Sequence, residues 1–209
     1  MKTLIAIPAM DSVPTLFAQS LATLRRVGEC SVAFEIGSLV YNSRNDLAKK
    51  AIEMESDYVL WLDSDMVFNP NTLELMFKTM TEKNLDILTG LYFRRVAPFT
   101  PVLFDKLEMT DEGCIQTEFK EIPDTLFEVG GCGFGCVLMK TSVFIDVFIK
   151  HHAFFTPIKG TGEDLSFCWR ARDCGYKIYC DPSFFLGHVG NQIISRNFYE
   201  SYKTVRAQN

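Results

Sequence analysis

The sequence contains no apolar run of the length that a membrane-spanning helix needs, so no such segment is predicted. It also has no excess of positive charge, since its 209 residues carry a formal net charge of −5. This balance argues against a broad, non-specific surface for nucleic acid, although pairs such as Arg94-Arg95 remain candidates for a local basic patch. A hydrophobic fraction of 47% and 18 phenylalanines predict one globular domain with a well-filled core.

Closely spaced cysteine pairs of the CxxC type are missing, although the chain has seven cysteines. Their odd number and irregular spacing fit neither a zinc site nor a disulfide framework. The first residues run directly into a strand-like segment at 3–8, without the pattern of a signal peptide. Reduced thiols in a cytoplasmic protein are the simplest account, so we predict a cytoplasmic location.

Strands and helices alternate over the first ninety residues. Short apolar segments predict strands at about 3–8, 31–37, 58–62 and 86–92. Residues with helical periodicity lie between them, at about 12–27, after Ser43 as N-cap, and after Pro70. This order predicts an α/β fold with a mostly parallel central sheet flanked by helices.

Residues 94–125 interrupt the alternation. Pro98 and Pro101 break the pattern, and Asp111-Glu112-Gly113 predicts the turn of a hairpin between two short strands. We interpret this segment as a hairpin excursion from the sheet and not as a second domain.

The remaining chain returns to the sheet. After the strand that ends near residue 139, helices are predicted at about 141–150 and from Gly162 to Gly175, a typical C′ residue. Two short strands then lead to His188. We predict a single domain over residues 1–190, followed by a polar tail at 191–209 that orders over a bound ligand as a lid.

Asp63 and Asp65 directly follow the apolar run Tyr58-Val-Leu-Trp-Leu. Because side chains alternate along a strand, both carboxylates are expected to point the same way from its carboxyl end, where open α/β sheets bind ligands. Like charges on one face repel unless a cation or hydrogen-bond donors lie between them. Mg²⁺ commonly bridges a carboxylate and a phosphate, so the pair predicts a metal–diphosphate site. A loop or helix-capping pair is the alternative.

Four other positions are candidates for chemistry. Glu163 and Asp164 begin a helix after two glycines, where they either favour the helix dipole or provide a general base in a cleft. His188, between glycines at a strand end, is either a metal ligand or a hydrogen-bonded structural residue. Arg44, at a helix start, either contacts phosphate or ribose or is an exposed surface residue.

The glycines at 130–135 do not form a dinucleotide-binding fingerprint, because they do not open a helix directly after the first strand. They form either a backbone wall against a sugar or acceptor, or a set of bulges.

In their order and spacing, these segments resemble GT-A glycosyltransferases and are most similar to the inverting enzymes of family 2. The matching residues are Ile5-Ala-Ile-Pro8, Ser43-Arg44-Asn45, Trp61-Leu-Asp63-Ser-Asp65, Val129-Gly130-Gly131, Gly162-Glu163-Asp164, Asp181-Pro182 and His188. The resemblance covers the chain to about residue 190. It departs mainly at 94–125 and in the tail, the regions that contact the acceptor in such enzymes.

The resemblance implies a GT-A domain that uses a nucleotide-diphosphate sugar, a UDP-sugar, together with Mn²⁺ or Mg²⁺. It implies the metal ligands Asp63, Asp65 and His188, and the donor-binding residues Pro8, Asp11, Arg44, Asp63 and Asp65. Asp164 is implied as the base that deprotonates the acceptor hydroxyl, with Glu163 positioning donor or acceptor. Gly130, Gly131 and Trp169 are implied as acceptor-binding residues.

A single base with no clear second carboxylate nucleophile predicts transfer with inversion, and we expect the transferred sugar to be a hexose or a pentose. The acceptor remains open among a glycan, a lipid-linked sugar, a protein and a hydroxylated DNA base; the acidic net charge does not support the last of these. One alternative is a nucleotidyltransferase, against which the absence of glycine from residues 6–15 counts. The other is a non-catalytic module that binds a sugar nucleotide or glycan.

Overall fold

The computed structural model describes residues 1–37, 39–110, 113–190 and 192–207. In chain order the elements are β1 (Lys2–Ala9), α1 (Thr15–Thr23), β2 (Glu29–Ile36), α2 (Val40–Glu53), β3 (Tyr58–Leu62), β4 (Met66–Phe68), α3 (Thr72–Lys83), β5 (Ile87–Gly90), β6 (Leu103–Phe104), β7 (Lys106–Thr110), β8 (Gly113–Thr117), β9 (Phe127–Val129), β10 (Gly131–Cys132), β11 (Cys136–Lys140), α4 (Ser142–His151), α5 (Glu163–Asp173), β12 (Ile178–Asp181), β13 (Leu186–Val189), β14 (Ile193–Ile194) and α6 (Arg196–Ala207).

The central sheet has seven strands in the order β2-β1-β3-β11-β5-β12-β9. Strands β2, β1, β3, β5 and β12 run in one direction, while β11 and β9 run antiparallel to their neighbours. The predicted mostly parallel sheet flanked by helices is therefore confirmed. The antiparallel β11 between β3 and β5 was not predicted, because it enters from the 94–125 excursion without a crossover helix.

Two apolar layers cover the two faces of the sheet. In β1, Leu4 and Ala6 point into a layer shared with α2, α4 and α5, while Ile5 and Ile7 point into a layer shared with α1 and α3. This is the period-two alternation of a strand buried on both faces. With both faces occupied, the ends of the strands are where a ligand has access to the sheet.

The start of α2 differs from the prediction. Ser43 was expected as an N-cap, but α2 begins at Val40, and the Ser43 N–H donates to the Leu39 carbonyl (3.3 Å) as within a helix. The Ser43 side chain is buried against Gly37, where an added Cβ would come within 2.9 Å of its oxygen. Arg44 therefore lies a full turn inside the helix and not at its first position.

The 94–125 excursion contains the predicted hairpin. Strands β7 and β8 pair antiparallel from Lys106 with Thr117 to Thr110 with Gly113, while the predicted turn residues Asp111 and Glu112 lie outside the described residues. A second hairpin comes before it, which we call the 93–101 hairpin. In that hairpin Phe93 pairs with Pro101, and the Arg94 N–H donates to the Thr100 carbonyl (2.9 Å).

The region predicted as a polar tail contains α6. Its aromatic side chains pack on the 93–101 hairpin: the Tyr199 ring stacks on Phe93 with centroids 4.6 Å apart, and Phe198 and Tyr202 contact the edge or face of Phe99. The prediction of a polar tail was based on the charged residues of the segment and did not consider these aromatic residues. Among the described residues, no helix combines the length and apolar character needed to cross a membrane.

Candidate active site

A cleft of about 320 Å³ opens at the carboxyl ends of β1 and β3. Most of the residues selected from the sequence line it together, namely Pro8, Arg44, Asp63, Asp65, Glu163, Asp164 and His188. They come from the ends of three strands, from the start of α5 and from the second turn of α2, so the fold assembles residues that are up to 180 positions apart in the sequence.

Asp63 and Asp65 reach the cleft through a turn and not through strand alternation as predicted. Strand β3 ends at Leu62, and the Met66 N–H donates to the Asp63 carbonyl (3.1 Å), so the chain reverses between the two carboxylates. The two side chains consequently have different partners. Oδ1 of Asp63 accepts a hydrogen bond from Nη2 of Arg44 (2.8 Å), whereas Oδ2 of Asp65 lies 2.8 Å from Nη1 of Arg95.

The pairing of β4 with β13 brings His188 to Asp65. His188 lies opposite Met66 in this antiparallel pair, and its Nε2 is 3.3 Å from Oδ2 of Asp65. Burial acts to raise the pKa of Asp65, but His188 and Arg95 outweigh it, so the pKa is lowered from its ordinary value.

The other ring nitrogen of His188 defines its tautomer. Nδ1 lies 2.9 Å from the carbonyl oxygen of Phe93, and because a carbonyl only accepts, we assign the proton to Nδ1. With Nδ1 protonated, Nε2 has two states. In the imidazolium it donates to Oδ2 of Asp65, which is the contact that lowers the pKa of Asp65, and in the neutral ring it carries a lone pair that can bind a cation. A histidine held by its second nitrogen in this way is typical of metal sites.

Among the residues that the structure describes, no three or more His, Cys, Asp or Glu side chains lie close enough together to hold a metal ion. Asp65 and His188 form a two-residue donor set of one oxygen and one nitrogen. Asp63, which was predicted as a third ligand, instead pairs with Arg44. An oxygen–nitrogen set suits Mn²⁺ when water and phosphate oxygens complete its coordination.

Arg44 lies at the floor of the cleft, and its side chain is only 2% exposed, so the alternative of an exposed surface residue is wrong. Besides the bond to Asp63, its Nε lies 3.1 Å from Oδ1 of Asp164 and 3.7 Å from Oε1 of Glu163. Burial opposes the charged form, but the three carboxylates outweigh it and raise the pKa of Arg44. The guanidinium also lies 5.4–5.8 Å from the rings of Trp61, Phe134 and Phe155.

Asp164 is the second residue of α5, after the N-cap Gly162. Its Oδ2 accepts a hydrogen bond from the Phe134 N–H (3.2 Å). Burial raises its pKa to about 7, against the opposing charge of Arg44 and with the help of the like charges of Glu163 and Asp63. A carboxyl group that titrates near neutral pH in a cleft has the property that a general base requires.

Four predicted residues are not among those that line the cleft. Asp11 is exposed beyond it, and the Trp169 ring packs on His151 with centroids 5.3 Å apart. Gly130 and Gly131 are buried, and an added Cβ would come within 2.7 Å of the Asp105 carbonyl oxygen and 2.9 Å of Leu165 respectively. The two glycines therefore allow close packing of neighbouring segments.

Sequence reasoning did not identify Arg95 as a site residue. It was noted only as half of a basic pair, yet it lines the cleft and contacts Asp65. The signal that could have revealed it is its position shortly after β5, since residues that follow parallel strands collect at the ligand-binding end of the sheet.

The chain is similar to a known family and to solved structures. The model of the family described as Glycosyl transferase family 2 matches residues 40–148, just over half of the chain. The matched region extends from α2, which carries Arg44, through Asp63 and Asp65 to α4.

One curated relative and two solved structures are informative. The chain is 27% identical over 176 residues to the mannan polymerase complex subunit mnn9 of Schizosaccharomyces pombe, a match that covers 70% of this chain. The chain spans about half the length of that relative. The crystal structure of A197 from STIV has a TM-score of 0.63 at 22% identity and covers 94% of this chain and 95% of its own.

The second structure is GalNAc-T7 with UDP, GalNAc and Mn²⁺, with a TM-score of 0.61 at 9% identity; the match covers 90% of this chain and 43% of that one. At these identities the two structural likenesses establish the fold.

Proposed function

Because the chain belongs to glycosyl transferase family 2 and has a GT-A fold, we propose that it transfers a sugar from a UDP-sugar to an acceptor hydroxyl with inversion. A divalent cation, Mn²⁺ or Mg²⁺, is part of this proposal. The observation that carries it is the meeting of Asp65 and His188 in one cleft with Asp164.

The charge of the cleft supports a role for a cation. Among the described residues that line it, four carry carboxylates, namely Asp63, Asp65, Glu163 and Asp164, and two carry guanidinium groups, namely Arg44 and Arg95. A diphosphate would be repelled from such a surface without added positive charge.

Asp65 and His188 would hold the cation. Oδ2 of Asp65 and Nε2 of His188 face each other at 3.3 Å, and with the His188 proton on Nδ1 both atoms are acceptors. A bound cation would satisfy both, and it would stabilise the negative charge that develops on the leaving diphosphate.

Asp164 would remove the proton from the acceptor hydroxyl, and Glu163 would position acceptor or donor. Arg44 supports this role because it contacts both Asp164 and Asp63 and so fixes the base relative to the donor side. With one base and no second carboxylate placed as nucleophile, direct displacement inverts the anomeric carbon. Pro8 and Asp63, at the cleft, would contact the nucleotide.

We propose a glycan as the acceptor. The name of the mnn9 relative, a subunit of a mannan polymerase complex, supports a glycan, and the UDP, GalNAc and Mn²⁺ bound to GalNAc-T7 support the donor class. Five points remain predictions. They are the acceptor roles of Gly130, Gly131 and Trp169, the role of Asp11, the choice of hexose or pentose, the cytoplasmic location, and the lid formed by residues 191–209.

The test combines binding and turnover. A thermal-shift screen of nucleotide sugars with Mn²⁺ identifies the donor, since a ligand that binds the folded state raises Tm. Donor turnover is then compared for wild type, Asp164→Asn and the control Asp46→Asn, an exposed carboxylate on α2. We expect Asp164→Asn to lose about 10²- to 10⁴-fold in turnover and the control to match wild type.

Two results would contradict the proposal. Equal turnover by Asp164→Asn and wild type removes Asp164 from the mechanism, and tight donor binding with no turnover by wild type favours a non-catalytic module. Proton NMR of the first product tests the stereochemistry, because a retained anomeric configuration rules out single displacement.

A further inference from the structure

Arg95 is placed on the 93–101 hairpin, two residues after Phe93, whose carbonyl fixes His188. Its Nη1 lies 2.8 Å from Oδ2 of Asp65. The same oxygen faces Nε2 of His188 at 3.3 Å. A single carboxylate oxygen therefore faces both the arginine and the histidine nitrogen that we assign to cation binding.

We propose that Arg95 is an exchangeable cation: it neutralises Asp65 until a divalent cation binds there, and it then transfers to the diphosphate of the donor. This proposal rests on the proposed function, because it assumes that Asp65 and His188 bind the cation. It adds a residue to the donor site and gives an order to the binding of cation and diphosphate.

The first step follows from charge. A divalent cation on Oδ2 of Asp65 would lie within a few ångströms of the guanidinium, and at such distances two positive charges repel strongly when partly shielded from water. Arg95 must therefore leave Asp65 when the cation binds. Its contact with Asp65 opposes the binding of a cation alone.

The two arginines of the cleft differ in their freedom to move. The side chain of Arg44 is 2% exposed and contacts three carboxylates, whereas that of Arg95 is 52% exposed, and Asp65 is the carboxylate it contacts in the described structure. The Asp65 side chain is less exposed, at 21%, but the half-exposed guanidinium can be hydrated when it leaves, so Arg95 can exchange partners. Arg44 is held in place.

The second step follows from the chemistry of guanidinium. When the cation holds the diphosphate next to Asp65, the displaced guanidinium remains beside it on the same rim of the cleft. Arginine binds phosphate oxygens through two parallel charge-assisted hydrogen bonds. The donor thus gives Arg95 a new partner, which makes the binding of cation and diphosphate cooperative.

The experiment measures two binding constants on the full chain. Mn²⁺ binding without nucleotide is followed by the EPR signal of the free ion, and binding of inorganic pyrophosphate in saturating Mg²⁺ is followed by calorimetry. The variants are Arg95→Gln, Arg95→Lys and the control Arg94→Gln, which removes the same charge from the neighbouring residue. Pyrophosphate is used because the predicted contact involves the diphosphate and not the base or sugar.

For Arg95→Gln we expect Mn²⁺ to bind about threefold to tenfold more tightly, because the competing charge is gone. We expect pyrophosphate to bind about tenfold more weakly, because a charge-assisted contact is lost. Arg95→Lys should restore the Mn²⁺ constant to near the wild-type value, and Arg94→Gln should change each constant by less than Arg95→Gln does.

Unchanged or weaker Mn²⁺ binding by Arg95→Gln overturns the exchange, and so does tighter Mn²⁺ binding with unchanged pyrophosphate binding. Changes of equal size in the two binding constants of Arg94→Gln also overturn it, since the loss of any nearby positive charge would then explain the effect. If wild type binds neither Mn²⁺ nor pyrophosphate, the proposed function itself fails; if it binds both and Arg95→Gln behaves identically, only the exchange fails.

Discussion

Nε of Arg44 lies 3.1 Å from Oδ1 of Asp164 at the floor of the cleft. The same guanidinium reaches Asp63 and Glu163, so one buried positive charge holds three carboxylates, one from the turn after β3 and two from α5. This arrangement couples the stability of the fold to the protonation of the proposed base, and each can be measured separately.

Replacement of Arg44 by Met should destabilise the protein by about 3–5 kcal/mol, because it leaves carboxylates without their buried partner. Urea unfolding of wild type and Arg44→Met measures this difference. The matched control is Arg25→Met, since Arg25 pairs with Glu74 but its side chain is 59% exposed, and such a pair contributes about 0–1 kcal/mol. Similar losses in both variants would contradict the central role of Arg44.

Turnover should depend on the protonation of Asp164. A base must be deprotonated to act, and burial raises the pKa of Asp164 to about 7, so turnover should rise with pH on a limb centred near 7. The measurement is kcat/KM between pH 5 and 9. In Asp164→Asn the residual turnover should lack this limb, while Asp46→Asn should retain it. If Asp164→Asn shows the same rise of kcat/KM with the same midpoint, the rise is due to the titration of another group.

The same shift predicts a change in stability with pH. The pKa of Asp164 in the folded state, about 7, lies above the ordinary value of 3.8. Its contribution to the free energy of unfolding is therefore fully present below about pH 4 and is lost as the pH rises through 7. Tm of wild type should accordingly fall between pH 5 and 8 by more than that of Asp164→Asn. Parallel Tm curves would contradict this prediction.

Cation binding should depend on Asp65 and His188 more than on Asp63. We expect Asp65→Asn and His188→Ala to weaken Mn²⁺ binding by about tenfold or more, since each removes a ligand. Asp63→Asn is the matched control, because its carboxylate is paired with Arg44, and it should have a smaller effect. Turnover should stop in excess EDTA and return with Mn²⁺. The reverse ranking of Asp63 and Asp65 would place the cation elsewhere.

Helix α6 should stabilise the cation side of the cleft through the 93–101 hairpin. Tyr199 stacks on Phe93, and the carbonyl of Phe93 holds His188. Tyr199→Ala should therefore increase proteolysis within 192–207 and weaken Mn²⁺ binding by about threefold to tenfold, the size expected for the loss of one aromatic contact. Thr204→Ala, on the exposed side of α6, is the control. If proteolysis increases but Mn²⁺ binding is unchanged, α6 does not stabilise the cation site.

Much of the site was predictable because local patterns mark it. Asp63 and Asp65 follow a buried strand, Glu163 and Asp164 begin a helix after glycines, and His188 ends a strand. Each of these signals arises within a few residues of the chain, and the ends of parallel strands meet at one edge of the sheet. The convergence of these residues therefore follows from the fold class.

The rest depends on contacts between distant segments. No local pattern shows that Arg44 is buried among Asp63, Glu163 and Asp164, because an arginine in a helix looks like a surface residue until the facing carboxylates are placed. The pairing of Arg95 with Asp65 is equally non-local. The acceptor predictions for Gly130, Gly131 and Trp169 rest on the order of motifs and stay predictions.

The antiparallel insertion of β11 has a consequence for how the molecule is completed during synthesis. Both neighbours of β5 in the sheet, β11 and β12, come later in the chain. Strands β2, β1 and β3 are complete by Leu62 and can join early, but neither edge of β5, which ends at Gly90, has a partner until β11 (Cys136–Lys140) is made. Until then both edges of β5 are open to association with other chains.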